Sequence, residues 1–320
     1  MYPLLLKPAL KSYIWGGTRL IEEFGKHAES EKIAESWELS CHKDGCNVIA
    51  NGTYKDVSFP EYIRQEGSGV LGTRAGKFER FPVLIKLIDA KDRLSIQVHP
   101  DDQYAMKYEG EYGKTEMWYI VDCEPDASLI YGFKSQISKE EFKERIENGS
   151  LLEVCNQVPV KKGDVFFIQA GTLHAIGKGI LVAEVQENSN STYRVYDYGR
   201  KDKDGKERDL HIDKALEVTS LDRMEEEGEQ TSKKLEQNAY KIQVLAECKY
   251  FKTAELEIRT QADMVALGDT FHSLLVLDGD AEIVYAREKI KVKKGDSIFV
   301  PAKMGAYSIQ GTCRILFSQL

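Results

Sequence analysis

One turn-and-strand pattern occurs twice in this chain. Val160-Lys-Lys-Gly-Asp-Val-Phe-Phe-Ile168 returns as Val292-Lys-Lys-Gly-Asp-Ser-Ile-Phe-Val300. In each copy a polar Gly-Asp turn leads into an apolar strand and then a second turn. Upstream, Glu116-Met-Trp-Tyr-Ile-Val-Asp122 corresponds more loosely to His272-Ser-Leu-Leu-Val-Leu-Asp278. The chain therefore reads as a duplicated β-unit, and its 320 residues are enough for two domains or one large one.

Most of the remaining sequence is short strands divided by turns, such as 81–89, 129–133, 180–186 and 273–277. Many short strands with Gly-rich turns favour a sandwich or jelly roll. Helices are expected in three places. Thr18 can cap one that stops at Gly25, and Ser58-Phe-Pro-Glu61 is a capping box for one ending near Gly67. The clearest opens at Ser138-Lys-Glu-Glu141 and carries Phe142 and Ile146 at helical spacing, with Gly149 breaking it. The polar, charge-rich stretch 222–234 reads as a linker. It divides the chain into a first domain, 1–225, with a short helical insertion at about 138–152, and a second, 240–320.

The chemistry concentrates in Ser95-Ile-Gln-Val-His99-Pro and Gly113-Lys-Thr-Glu116-Met-Trp. Strand alternation puts Ser95, Gln97 and His99 on one face, with Leu94, Ile96 and Val98 on the other. Polar groups on the lip of an apolar strand are costly to bury unless something pairs with them. With Glu116, and with His174 in Gly171-Thr-Leu-His-Ala, they amount to two imidazoles, a carboxylate and an amide. That set suits zinc or another divalent first-row metal. In the second copy Ala306 falls opposite His174, so only the first unit keeps the ligand set. Lys86, Lys114 and Arg194 supply cations for a phosphate or a developing oxyanion. Lys114 and Glu116 share a parity and can face one cavity. A metal, a base and a cationic clamp together suit proton transfer beside a carbonyl. His27, His42 and His211 read as structural histidines.

Other function classes recede. A net charge of −8 argues against non-specific nucleic-acid binding. Apolar runs such as Leu274-Leu-Val-Leu are far shorter than the roughly 20 residues that span a bilayer. The N-terminus has neither the charged segment nor the long apolar run of a signal peptide, so a cytoplasmic location is expected. The six cysteines have no paired C-x-x-C, and Cys41-His42 with Cys46 lacks the second half of a metal site.

These residues resemble the type I mannose-6-phosphate isomerases of the cupin superfamily, in their compact bacterial form. The resemblance runs through Trp15-Gly-Gly, Ala34-Glu-Ser-Trp-Glu-Leu-Ser and Leu94-Ser-Ile-Gln-Val-His-Pro-Asp-Asp. It continues in Gly113-Lys-Thr-Glu-Met-Trp, Gly171-Thr-Leu-His-Ala-Ile and Glu184-Val-Gln-Glu-Asn-Ser-Asn through Tyr193-Arg-Val-Tyr-Asp-Tyr. It implies a mainly β fold with a few helices, built as duplicated cupin-type jelly-roll barrels. One Zn²⁺ per chain would be held by His99, Glu116, His174 and Gln97. Arg194 and Lys114 would be catalytic, and Ser95 and Lys86 would bind the sugar phosphate. The implied reaction interconverts mannose 6-phosphate and fructose 6-phosphate through a cis-enediol, so the partner is a small hexose 6-phosphate and neither nucleic acid nor membrane. The longer relatives have Lys-Pro-Glu-Met where this chain has Lys114-Thr-Glu-Met, and they carry a larger helical insertion.

Two other readings use the same residues. Two histidines and a carboxylate also form the facial triad of non-haem Fe(II) oxygenases, although such chemistry has no need of Lys86, Ser95, Lys114 and Arg194. A sugar-phosphate sensor could keep the metal without turnover, although it would have no need of both Lys114 and Arg194. The sequence leaves the oligomeric state open.

Overall fold

A computed structural model describes residues 1–201, 204–224 and 233–320. The chain is mainly β with short helices, as its strand-and-turn pattern requires. It forms two compact units. One comprises Met1–Lys11, Thr18–Leu87 and Glu229–Leu320, the other Ser12–Gly17 and Ile88–Gly228. Of the linker expected over 222–234, residues 225–232 lie outside the described residues. Among the described residues no helix is long and apolar enough to cross a membrane.

The unit built on Ile88–Gly228 carries the residues of interest. In one strand group Glu116–Cys123 lies between Val165–Ile168 and Ile180–Glu187, both antiparallel to it. A five-stranded sheet runs Cys155–Pro159, Ser128–Phe133, His174–Ala175, Ile96–Val98, Tyr193–Tyr196. Alternation gives that sheet two unlike faces. Ile96, Val98, Ala175, Tyr193 and Val195 turn to a buried cluster with Phe142 and Ile146 of the helix Lys139–Glu147 and Ala215 of the helix Ile212–Val218. Gln97, His174 and Arg194 alternate with them, and Gln97 is the cross-strand partner of both others. The apolar face thus anchors the sheet while the other face is left for polar groups.

The other unit contains a ten-stranded antiparallel sheet system. Its centre is the pair His272–Tyr285 and Gly305–Gln319, flanked by Lys252–Ile258 and Ser297–Val300, with Leu4–Lys7 beyond. One hydrophobic cluster of it runs from Leu256, Val276 and Ile298 to Ile309, Ile315 and Phe317.

The repeated motif takes the same form in both units. The Ile120 amide donates to the Asp164 carbonyl, and the Val276 amide to the Asp296 carbonyl. The Gly163 amide returns to Ile120, and the Gly295 amide to Val276. Asp164 and Asp296 accept from the Lys161 and Lys293 amides respectively. Strand register agrees too, with Glu116 opposite Ile168 and His272 opposite Val300. Gly163 and Gly295 both have φ +91°, a conformation that explains the shared glycine.

The expectation of three helices is incomplete. Arg19–Glu22, Phe59–Glu66 and Lys139–Glu147 are present, but so are Asp102–Tyr108 and Ile212–Val218. The last two are seven residues each and fully bury one alanine apiece, Ala105 and Ala215. Ile212 and Leu216 flank Ala215 at i, i+3, i+4 spacing and pack on the same cluster, so the second helix was legible in sequence. Asp101 caps the first, accepting the Tyr104 amide at 2.8 Å. The Ser58 hydroxyl does not make the capping bond expected of it, whereas Ser138 does, accepting from the Glu141 amide at 3.0 Å.

Candidate metal centre

His99, Glu116 and His174 form the one group of three or more His, Cys, Asp or Glu side chains among the described residues that could hold a metal ion. All three are essentially inaccessible to solvent. His99 follows Ile96–Val98, Glu116 opens Glu116–Cys123, and His174 opens a two-residue strand paired to Gln97.

Tautomers are fixed by neighbours. His99 Nδ1 is 3.0 Å from the Ser191 carbonyl, and His174 Nδ1 is 2.8 Å from that of Thr172. A ring nitrogen facing a carbonyl donates, so the Nδ1 atoms carry the protons. Burial pushes the His174 pKa down to about 4, with the Lys114 charge acting the same way, so its Nε2 is a bare lone pair. Lys114 Nζ, which can only donate, lies 3.1 Å from His99 Nε2 and makes that atom an acceptor as well. The two acceptor nitrogens stand 3.1 Å apart, and each is 3.6 Å from a Glu116 carboxylate oxygen.

Such a cluster of acceptors fits a cation. Two nitrogens about 2.1 Å from a tetrahedral zinc would be separated by roughly 3.4 Å, close to the spacing found. The Nδ1–carbonyl bonds aim both rings, as outer partners of metal-bound histidines do. Gln97 lies beside this group, its amide nitrogen 3.4 Å from His174 Nε2. Ligation would need the amide turned end for end, so that Oε1 faces inward.

The predicted cations divide. Lys114 sits in the cluster, 2.8 Å from Glu116 Oε2. Arg194 projects from the same sheet face, its Nε donating to Ser95 Oγ at 3.2 Å and a terminal nitrogen to the Asp209 carbonyl at 3.0 Å. It pairs with neither Asp197 nor Glu187. Asp197 is taken by Arg200 and Arg208. Ser95 in turn donates weakly to Gln97 Oε1 at 3.5 Å. Lys86 belongs to the other compact unit, where it is buried 3.8 Å from Glu35 and 5.3 Å from the Trp37 ring.

Further polar groups support the cluster. Glu184 accepts from the Trp118 indole at 2.9 Å and lies 3.9 Å from Lys114 Nζ. Asp102 accepts the Gly113 amide at 3.0 Å and Glu187 the Thr115 amide at 2.8 Å, so two carboxyls bracket Lys114 through its neighbours' backbone. Gly113 leaves no choice here, because a Cβ would meet the Asp102 nitrogen at 2.4 Å. His211 accepts the Arg194 amide through Nδ1 at 3.3 Å, consistent with a structural role. A carboxylate inside an apolar strand, Leu-Val-Ala-Glu184-Val, was the available signal for Glu184. Nothing in the spacing marks Asp102.

Known proteins point the same way. Residues 4–125 match the family model for the phosphomannose isomerase type I catalytic domain, and residues 241–320 that for the mannose-6-phosphate isomerase cupin domain. Mannose-6-phosphate isomerase ManA of Bacillus subtilis is 39% identical over 319 residues, 99% of each chain. The mannose-6-phosphate isomerase of Streptococcus mutans is 37% identical over 99% of this chain and 98% of its own. The crystal structure of the mannose 6-phosphate isomerase from Bacillus subtilis superposes with a TM-score of 0.93 at 37% identity, covering both chains completely.

Proposed function

The chain belongs to the type I mannose-6-phosphate isomerase family, and from that premise we propose that it interconverts mannose 6-phosphate and fructose 6-phosphate with one bound Zn²⁺. The supporting observation is the convergence of His99, Glu116 and His174 in one buried cluster with Lys114 inside it. We assign His99, Glu116, His174 and Gln97 to the metal. When bound, zinc supplies a Lewis acid for the adjacent sugar oxygens that exchange carbonyl and hydroxyl character.

The protein's own groups would do the rest. In the aldose-to-ketose direction a proton leaves C2 and returns at C1, while the O2 hydroxyl proton passes to O1, through a cis-enediol. Lys114 stands among acceptors that can take or return its proton, which suits a relay. Arg194, held by Ser95 and the Asp209 carbonyl, suits the negative charge that develops on the enediol oxygens. Ser95, beside Arg194, is assigned to the sugar phosphate, and burial of the cluster excludes water from the proton path. Lys114 in the cluster and Arg194 on the same sheet face count against an oxygenase acting on an apolar substrate, which would have no need of them. All six cysteines are free thiols, in keeping with a cytoplasmic enzyme.

A coupled assay for fructose 6-phosphate formed from mannose 6-phosphate tests this directly. Activity that a chelator abolishes and zinc restores is the expected result. Zinc-loaded protein that forms no fructose 6-phosphate would overturn it.

A further inference from the structure

Cys41 and Cys46 are directly opposed in a hairpin whose strands, Cys41–His42 and Gly45–Cys46, are joined by Lys43 and Asp44. The next pair outward, Ser40 and Asn47, is tied by the Asn47 amide to the Ser40 carbonyl at 3.1 Å. Hydrogen-bonded and non-hydrogen-bonded pairs alternate along an antiparallel ladder, which makes Cys41–Cys46 the non-hydrogen-bonded kind. Such a pair holds its Cα atoms about 4.5 Å apart with both side chains on one face. Disulfides span Cα separations of about 4.4–6.8 Å, so this pair is within reach at the short end of the range.

Both residues are half-buried. Burial, and after it the neighbouring Cys46, hold the Cys41 thiol well above its ordinary pKa. Other strand cysteines face different residues: Cys123 is opposite Ile180, Cys155 opposite Phe133, and Cys313 opposite Ile258 and Gly279.

We propose that Cys41 and Cys46 are a reversible modification site, closing to a cross-strand disulfide by exchange with a low-molecular-weight disulfide. The Cys46 thiolate attacks one sulfur of the reagent, whose S–S bond breaks and releases the other half as a thiolate. Cys41 then loses its proton and attacks Cys46 Sγ, displacing the second half. The two cysteines give up two electrons, and the reagent takes them up as two thiols. Cys46 leads because burial disfavours the Cys41 thiolate. Closure at the short end of the allowed range gives a bond that reductants reopen readily. The site also borders a candidate substrate group. His42 packs edge-on against Trp37 at 5.7 Å, Trp37 donates to Glu35 at 2.7 Å, and Glu35 pairs with Lys86.

The test is peptide mapping of the full chain after treatment with oxidised glutathione. Trypsin cuts at Lys43, between the two cysteines, so the disulfide joins peptides 33–43 and 44–55 into one species. The expected result is that linked species, loss of both thiols to alkylation, and recovery of both with dithiothreitol. Cys46→Ser should abolish the linkage and leave Cys41 slow to react. Separate glutathione adducts on Cys41 and Cys46, persistent alkylation of both, or linkage to any other cysteine would overturn the proposal.

Discussion

The Nε2 atoms of His99 and His174 face each other at 3.1 Å, and both are acceptors. Two lone pairs at that distance repel, and a carboxylate 3.6 Å from each adds negative charge. Lys114 offsets part of this, and a divalent cation would offset more. Metal binding should therefore stabilise the fold by mass action, by about 2.7 kcal/mol when free metal is a hundredfold above its dissociation constant. Melting with zinc and with chelator measures it. Equal melting temperatures would mean that the cluster is closed by Lys114 alone.

Glu116→Gln should weaken metal binding by more than the roughly 10–100-fold that follows loss of an outer partner, since it removes a ligand charge. The chain should still fold, because the apolar faces of the sheets, not Glu116, hold them together. Metal content after dialysis is the readout. Content equal to the parent protein's would remove Glu116 from the ligand set.

Arg194→Ala should lower turnover about 100- to 1000-fold, the scale of losing one donor to a developing oxyanion, with zinc retained. The guanidinium is half-buried on the sheet face that carries Gln97 and His174, and burial holds its pKa below the usual arginine range. Ser95→Ala should give a smaller fall, since it removes one hydrogen bond that aims the guanidinium. Normal turnover in the arginine variant would reduce Arg194 to a structural contact with the Asp209 carbonyl.

The parity of Ser95, Gln97 and His99, and that of Lys114 and Glu116, were legible because a strand's period of two is a local property. So was the repeated Lys-Lys-Gly-Asp turn, whose hydrogen bonds recur in both units. The partners of those residues were not. His174 meets Gln97 through a strand of only two residues, and Glu187 reaches Thr115 across a non-local pairing. Asp102 sits in a helix with no apolar stripe to announce it. Pairings between distant segments depend on the whole topology, which no window of sequence contains.

Glu187 gives the clearest pH dependence. Burial, and behind it the neighbouring Asp102, push its carboxyl up to about 8 from an ordinary value of 4.5. Below about pH 4.5 the folded and unfolded chains both hold the proton, and the contribution to stability is complete. Between 4.5 and 8 the unfolded chain gives up the proton while the folded chain keeps it, so stability falls as pH rises, then levels off. One proton has a ceiling of about 1.4 kcal/mol per pH unit. Glu187→Gln keeps a neutral donor toward Asp102 and an acceptor for the Thr115 amide but removes the titration. Denaturant unfolding of both proteins from pH 5 to pH 8 should show the parent losing stability relative to the variant by about 1 kcal/mol per unit. Parallel curves would mean that Glu187 is ionised in the folded chain.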